Sequence, residues 1–258
     1  MSQPNIVRLS QSHLNLLSIC PPKFQQIYLD CLGTILDPRQ QESMKWGTQF
    51  HLLMQQRELT LPIEPLLTSD PELNSAFQAL TASATELEAN FDTWREAEHC
   101  RTLSYHNFVL TVIYDLLIAK EEQAVILDWK TYRQPQTASK LASNWQTRLY
   151  LYILSETSEY TPEQIQMTYW FVKSGKPKSV TLRYSHQQHQ QTERDLMNLL
   201  TKLEIWLQDY QDSQIDFPHQ PDCQSKCPYH QFLAPDTTAK EQYQEWMTSI
   251  EQIEEISI

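Results

Sequence analysis

Two pairs of β-branched and aromatic segments, separated by one helical segment, constrain the fold of this chain more than any other feature. The first pair lies in TLSYHNFVLTVIYDLLIA (residues 102–119) and AVILDWKTY (residues 124–132). The second pair lies in IQMTYWFVK and SVTLRYS. Because each pair is joined by a short polar turn, the pattern predicts two β-hairpins.

Helical patterns surround these hairpins. ASKLASNWQTRLYLYILSET, between them, has apolar residues at helical spacing and predicts one amphipathic helix. Before residue 100 the spacing predicts further helices, one of them capped by Ser69 or Asp70 and another over residues 86–99. A long helix, HQQHQQTERDLMNLLTKLEIWLQDYQ, follows the second hairpin. This order of elements predicts a mixed α/β sheet with helices on its faces.

The chain has 258 residues, 40% of them hydrophobic, and shows neither an internal repeat nor a low-complexity linker. We therefore predict one domain over residues 1–258. Its parts are a helical N-terminal part over residues 1–99, an α/β core over residues 100–212, and a cysteine-containing coil with an acidic C-terminal helix over residues 213–258.

Glycine is scarce, with only 3 residues in the chain. Neither GxGxxG nor GxxxxGK[ST] occurs, which excludes dinucleotide-binding and P-loop sites. No apolar run approaches the roughly 20 residues of a membrane span, and the N-terminus lacks a signal-peptide pattern. We expect a cytoplasmic protein that does not enter a membrane.

Charge is distributed unevenly. The net charge of −12 argues against a general nucleic-acid coat protein. Residues 164–192, however, contain no acid and four cations, a net charge of +4, and residues 123–155 contain four cations and one acid, a net charge of +3. A central basic zone of this kind is compatible with an anionic substrate and equally with solvated surface charges.

Three ionisable residues lie at predicted strand ends. Asp115 ends the run VIYD, Asp128 ends VILD in the neighbouring strand, and Lys130 shares the face of Asp128 because side chains alternate along a strand. Two carboxylates could bind a divalent cation, with the carbonyl of Trp129 as a further ligand. With a lysine beside them they suit phosphodiester hydrolysis. Exposed charges on an ordinary hairpin are the alternative.

An ordered set of motifs over roughly residues 10–230 resembles the PD-(D/E)XK nuclease superfamily, specifically its RecB-type exonuclease branch. The set comprises SQSHLNLLSICPPKF, His51 in WGTQFH, Asp115, Asp128 and Lys130 in DWK, and Gln146 and Tyr150 in NWQTRLYLY. Glu98 in REAEHC resembles the acid that the family carries upstream of the first Asp. The resemblance implies a restriction-endonuclease-like fold, a mixed β-sheet flanked by helices.

The resemblance also implies a role for each residue. Asp115 and Asp128 would ligate Mg²⁺ or Mn²⁺, His51 would complete the coordination, and Glu98 would be an additional acid. Lys130 would orient the nucleophilic water and stabilise the transition state. Gln146 and Tyr150, one helical turn apart, would position a DNA phosphate or the lysine.

The predicted function is therefore a metal-dependent DNA nuclease, an exonuclease acting on single-stranded or duplex ends. The alternative is a catalytically inactive subunit that binds DNA or serves as a scaffold in a DNA-repair or CRISPR-adaptation complex. The C-terminal helix, with Tyr243, Trp246, Ile250 and Ile253 on one stripe, could dock a protein partner or pack on its own domain.

The cysteines depart from the family pattern. Many relatives hold a [4Fe–4S] cluster with four cysteines, and Cys20, Cys223 and Cys227 match only three of these positions. A cluster would need Cys31 or Cys100 as fourth ligand, whereas His230 could complete a zinc site. The missing cysteine favours a third alternative, a site without metal.

Overall fold

The structure is a computed structural model that describes residues 7–32, 38–88, 93–132, 135–173 and 176–220. These residues form one six-stranded mixed sheet with helices on both faces, so the predicted fold class is confirmed. The strands are β1 (Val7–Leu9), β2 (Trp94–Tyr105), β3 (Phe108–Ala119), β4 (Ala124–Lys130), β5 (Ile165–Phe171) and β6 (Lys178–Arg183).

Among the described residues, five α-helices lie between β1 and β2, two lie between β4 and β5, and one follows β6. They are α1 (Gln11–Ile19), α2 (Pro21–Tyr28), α3 (Pro38–Glu58), α4 (Glu64–Ser69), α5 (Pro71–Ser83), α6 (Ala138–Ser143), α7 (Trp145–Glu156) and α8 (His186–Ser213). No helix among the described residues has the length and apolar character that crossing a membrane requires.

Three strands, β3, β4 and β5, form the centre of the sheet. β3 pairs antiparallel with β2 along its whole length, with β4 through its last residues and parallel with β1 through its first residues. β4 and β5 run parallel, and α6 and α7 connect them. β6 pairs antiparallel with β5, so the second predicted hairpin is confirmed.

Separate apolar cores cover the two faces of the sheet. On one face, α1, α2, α7 and α8 bury side chains such as Leu14, Leu149 and Leu200 against β3, β4 and β5. On the other face, α3 and α5 bury Phe50, Phe77 and their neighbours against the same strands. The central strands are therefore apolar on both sides, which accounts for the unbroken apolar run of β4.

Local sequence signals place the helix ends. The Asp70 carboxylate accepts hydrogen bonds from the backbone N–H groups of Glu72 and Leu73, which confirms one of the two predicted caps of α5. In the same way the Asn144 side chain accepts the N–H of Gln146 at the start of α7. The single helix predicted between the hairpins is therefore wrong: Asn144 divides it into α6 and α7.

The helix predicted over residues 86–99 is also wrong. β2 begins at Trp94, before the predicted core boundary, and pairs with β3 over its length. Glu, Ala and Arg favour helices, but intrinsic propensity amounts to less than about 1 kcal/mol per residue, and pairing with an adjacent strand overrides it. β1 likewise lies within the N-terminal part that was predicted to be helical.

The segment over residues 102–119 does not form one strand. It contains the end of β2, a turn at His106 and Asn107, and all of β3. His106 has a φ of 52°, which the turn requires and apolar periodicity does not reveal. The predicted C-terminal helix, with its proposed partner surface, lies outside the described residues.

Candidate active site

His51 reaches the sheet from α3. Phe50, Leu53 and Met54 of this helix are buried against the sheet, which leaves His51 on the edge of the buried stripe. The His51 Nδ1 atom lies 3.3 Å from a carboxylate oxygen of Asp115 on β3. Its Nε2 atom lies 3.1 Å from the backbone carbonyl oxygen of Trp129 on β4. Helix packing thus aims the imidazole at the β3–β4 pair.

Glu98 completes a group with these two side chains. One ligand atom each of His51, Glu98 and Asp115 lies within 4.8 Å of the other two, and we call these residues the acidic cluster. The second oxygen of Asp115 accepts the backbone N–H of Trp129 at 2.6 Å, which ties its carboxylate to β4. The three side chains come from a helix and two strands, and all are partly buried.

The backbone is irregular where the two acids meet. The β2–β3 register pairs Ala97 with Leu116 and His99 with Tyr114, and omits the intervening pair of Glu98 and Asp115. Glu98 has a φ of 52°, in the left-handed region that non-glycine residues rarely occupy. Such strain is retained where the surrounding structure enforces it, often at functional sites.

The Glu98 side chain lies among other carboxylates that disfavour its ionisation. Burial, together with the neighbouring Asp115 and Asp128 carboxylates, raises the pKa of Glu98 to about 7, and His51 partly opposes the rise. A proton or a cation would relieve this repulsion. The acidic cluster therefore favours positive charge at neutral pH.

The donor set of the acidic cluster fits a divalent metal ion. It offers an imidazole nitrogen and two carboxylate oxygens, and the Trp129 carbonyl lies beside the imidazole. Oxygen-rich sets of this kind suit Mg²⁺ and Mn²⁺. Both nitrogens of His51 face oxygens, so both contacts can be hydrogen bonds only if the ring is protonated. A bound cation would supply that positive charge instead.

A second group, buried beside the first, surrounds Lys130. Its ammonium lies 2.8 Å from one oxygen of Asp128 and donates to the side-chain oxygen of Gln146 at 2.9 Å. The Gln146 amide donates to the other oxygen of Asp128 at 2.9 Å, which closes a ring of three contacts. Tyr169 donates to Gln146 at 3.1 Å, and its ring lies beneath the ammonium. We call these four residues the lysine network.

Charge is balanced within the lysine network. Burial raises the pKa of Asp128, Lys130 opposes that rise, and Asp115 adds to it. The exposed fractions are 2% for Asp128, 6% for Lys130 and 5% for Gln146. The hydrogen bonds therefore hold the lysine in one position, since a buried ion pair without them would be unstable.

The start of α7 is anchored from α1. Asn15 donates to the side chain of Asn144 at 3.0 Å and accepts the backbone N–H of Trp145 at 3.2 Å. Gln146 follows directly, so these contacts set the position from which it reaches Lys130. Neither Asn15 nor Tyr169 was predicted from the sequence, because no local pattern indicates contacts across 129 or 23 residues.

The structure brings the predicted residues together in two groups instead of one. Asp115 lies with His51, whereas Asp128 lies with Lys130 and Gln146. Asp115 does not end its strand as predicted, because β3 continues to Ala119 and pairs there with β4. Lys130 shares the face of Asp128, as the alternation predicted.

Tyr150, one turn after Gln146, is fully buried beneath the site. Burial raises its pKa, Asp128 and Asp115 add to the rise, and a hydrogen bond with Gln146 opposes it. Cys20 is buried at the start of α2, whereas Cys223 and Cys227 lie outside the described residues. The expectations for a cysteine site therefore stay predictions.

Comparison with known proteins gives a matching family and matches among solved structures. The model of the PD-(D/E)XK nuclease superfamily matches residues 8–232. A structure from Eubacterium rectale, described as a "Putative exonuclease", has a TM-score of 0.54 and 9% identity, and the match covers 91% of this chain and 92% of that chain. This likeness shows the fold.

A second structure, of the protein SSO0001, has a TM-score of 0.35 and 12% identity, with 78% of each chain covered. A similarity this low supports no conclusion. No curated protein matches the sequence significantly.

Proposed function

This chain belongs to the PD-(D/E)XK nuclease superfamily, and from that premise we propose that it is a metal-dependent deoxyribonuclease that degrades DNA from its ends. The observation that carries the proposal is the acidic cluster beside the lysine network. One group favours a cation and the other presents a positioned ammonium. Phosphodiester hydrolysis requires both kinds of group in one place.

We assign the metal site to His51, Glu98 and Asp115, with the Trp129 carbonyl beside them. A Mg²⁺ or Mn²⁺ ion bound there would act as a Lewis acid on the phosphate. Asp128 would contribute mainly by holding Lys130, which it contacts at 2.8 Å. This assignment differs from the pairing of Asp115 with Asp128 that the motif alone suggests.

Lys130 would stabilise the negative charge that develops on the phosphate. Its ammonium has three N–H donors, and contacts to Asp128 and Gln146 orient two of them. A charge that is already oriented needs no reorganisation during the reaction, which is the main source of electrostatic catalysis. Gln146 and Tyr169 would act as positioning residues, since both reach the substrate only through Lys130.

The proposal is tested with the purified chain and fluorescently labelled DNA. We expect Mg²⁺ or Mn²⁺ to support degradation of linear DNA, EDTA to stop it, and circular single-stranded DNA to resist it. Asp115→Asn keeps an acceptor for the Trp129 N–H and removes the charge, so cleavage should fall by at least about 100-fold. Asp209→Asn, at an exposed position on α8, is the matched control and should cut normally.

Calorimetric titration with Mn²⁺ separates metal binding from catalysis. The parent chain should bind the ion, and Asp115→Asn should bind it much more weakly because a charged ligand is lost. A parent chain that binds DNA but neither binds Mn²⁺ nor cuts would instead support the inactive DNA-binding subunit. Equal cleavage by Asp115→Asn and the parent chain would refute the assigned site.

A further inference from the structure

The β5–β6 hairpin ends beside the lysine network. In the sheet register Lys130 pairs with Phe171, and Phe171 pairs with Lys178, so the three residues form one row across β4, β5 and β6. Directly paired residues point to the same face of a sheet. Adjacent strands lie about 4.8 Å apart, which puts the Lys178 backbone roughly 10 Å from that of Lys130.

The residues that follow β5 contact both β4 and α3. The backbone N–H of Val172 donates to the carbonyl of Lys130 at 3.0 Å. Lys173, the next residue, places its ammonium 3.8 Å from the centre of the Trp46 ring of α3. A cation–π contact of this kind orients the ammonium. One cation is thus held between the hairpin and the helix that carries His51.

The hairpin has a positive net charge, whereas the rest of the chain has a negative net charge. Residues 164–192 contain no acid and have a net charge of +4, so the remainder of the chain has a net charge of −12 − 4 = −16. Lys176 and Lys178 are both exposed. The 29 consecutive residues 164–192 contain no acid that would repel a polyanion. A polyanion that crosses this surface would account for that absence.

We propose that the β5–β6 hairpin, through Lys173, Lys176 and Lys178, binds the phosphodiester backbone of a single DNA strand. By the spacing of the strands, this contact lies roughly 10 Å from Lys130 along the same DNA strand. This inference rests on the proposed function, because it extends the substrate path from the same site. The hairpin would hold the DNA strand while Lys130 acts on the reacting phosphate.

Binding is measured separately from cleavage. Fluorescence anisotropy in EDTA compares the full-length parent chain with Lys176→Glu/Lys178→Glu on a labelled oligothymidylate and on a duplex, over a series of salt concentrations. We expect the double variant to bind the single strand at least about tenfold more weakly. The slope of log K against log salt should fall by about 1.4, because each single-strand phosphate contact contributes about 0.7.

A matched control carries the same change of charge elsewhere. Lys120→Glu/Lys202→Glu alters two exposed lysines, one in the β3–β4 turn and one on α8. This control should keep the affinity within about twofold and leave the slope unchanged, because neither lysine lies on the β5–β6 hairpin. Thermal melting checks that both double variants are folded.

The outcomes separate this inference from the proposed function. Equal losses of affinity in the hairpin variant and the control would overturn the inference, while cleavage by the parent chain would leave the nuclease proposal intact. A hairpin variant that loses affinity only for duplex DNA would also overturn it, because a single strand is specified. A parent chain that binds neither probe overturns the hairpin assignment, whereas a parent chain that binds but never cuts refutes only the nuclease.

Discussion

The acidic cluster and the lysine network lie side by side on the β3–β4 pair and balance their charges in different ways. In the acidic cluster Glu98 and Asp115 face one imidazole, and the pKa of Glu98 rises to about 7. In the lysine network Asp128 and Lys130 neutralise each other, and Gln146 bonds to both. The first group has more acidic than basic side chains, whereas the second contains its own cation, Lys130.

The two groups would therefore make different contributions to the proposed nuclease site. Carboxylates that repel each other destabilise the folded chain, and a cation bound at the acidic cluster would relieve that repulsion. A buried ion pair whose two partners both hydrogen-bond to Gln146 keeps its geometry without help. Substitutions should therefore have opposite effects on stability in the two groups, although both groups are proposed to serve cleavage.

The largest effect on stability should come from Lys130→Met. This change leaves Asp128 buried without its cation, and breaking a buried pair costs about 3–5 kcal/mol. Urea unfolding of this variant should show that loss, and cleavage should also fall strongly because the ammonium is gone. The double variant Asp128→Asn/Lys130→Met removes both charges and should recover most of the stability but none of the cleavage. A single variant as stable as the parent chain would show that the network is not a coupled pair.

A smaller effect is expected from Tyr169→Phe. The variant keeps the buried ring and removes the hydroxyl that donates to Gln146, which should lower the free energy of unfolding by about 1–3 kcal/mol. Tyr160→Phe, whose hydroxyl donates to the carbonyl of exposed Lys120, is the control and should lose less. Cleavage by Tyr169→Phe should decrease less than cleavage by Lys130→Met. If Tyr169→Phe were as stable as its control, Tyr169 would not support the network.

The smallest effect, with the opposite sign, should come from Glu98→Gln. Glu98 has a folded-state pKa of about 7, above its ordinary value of 4.5, so its destabilising ionisation develops between these values and is complete above pH 7. In EDTA at pH 8 the variant should therefore melt about 2–4 °C higher than the parent chain, a figure of about 1 kcal/mol that allows for solvent screening. Near pH 5 the two should melt together.

Glu122→Gln, at an exposed position in the β3–β4 turn, is the control for Glu98→Gln and should change little at either pH. Saturating Mn²⁺ should reverse the order, because only the parent chain keeps the full ligand set. A Glu98→Gln variant that melts below the parent chain in EDTA at pH 8 would show that Glu98 stabilises the fold, and the contrast between the two groups would disappear.

Sequence patterns predicted the elements that have strong local signals. The apolar run of β4, the Asp70 cap and the second hairpin follow from side-chain periodicity and turn chemistry, and the structure confirms each. The spacing of Asp128 and Lys130 alone placed both on one face of a strand. Where intrinsic propensity favoured a helix, as in residues 86–99, pairing with β3 outweighed it.

Only the tertiary structure decided how the ionisable residues are grouped. His51, Glu98 and Asp115 come from α3, β2 and β3, and they meet because two apolar cores fix those elements against each other. The sequence by itself determined the residue types, their order and the strand that carries Asp128 and Lys130. Which carboxylate faces an imidazole and which faces a lysine depends on contacts between distant segments, and local periodicity contains no information about those contacts.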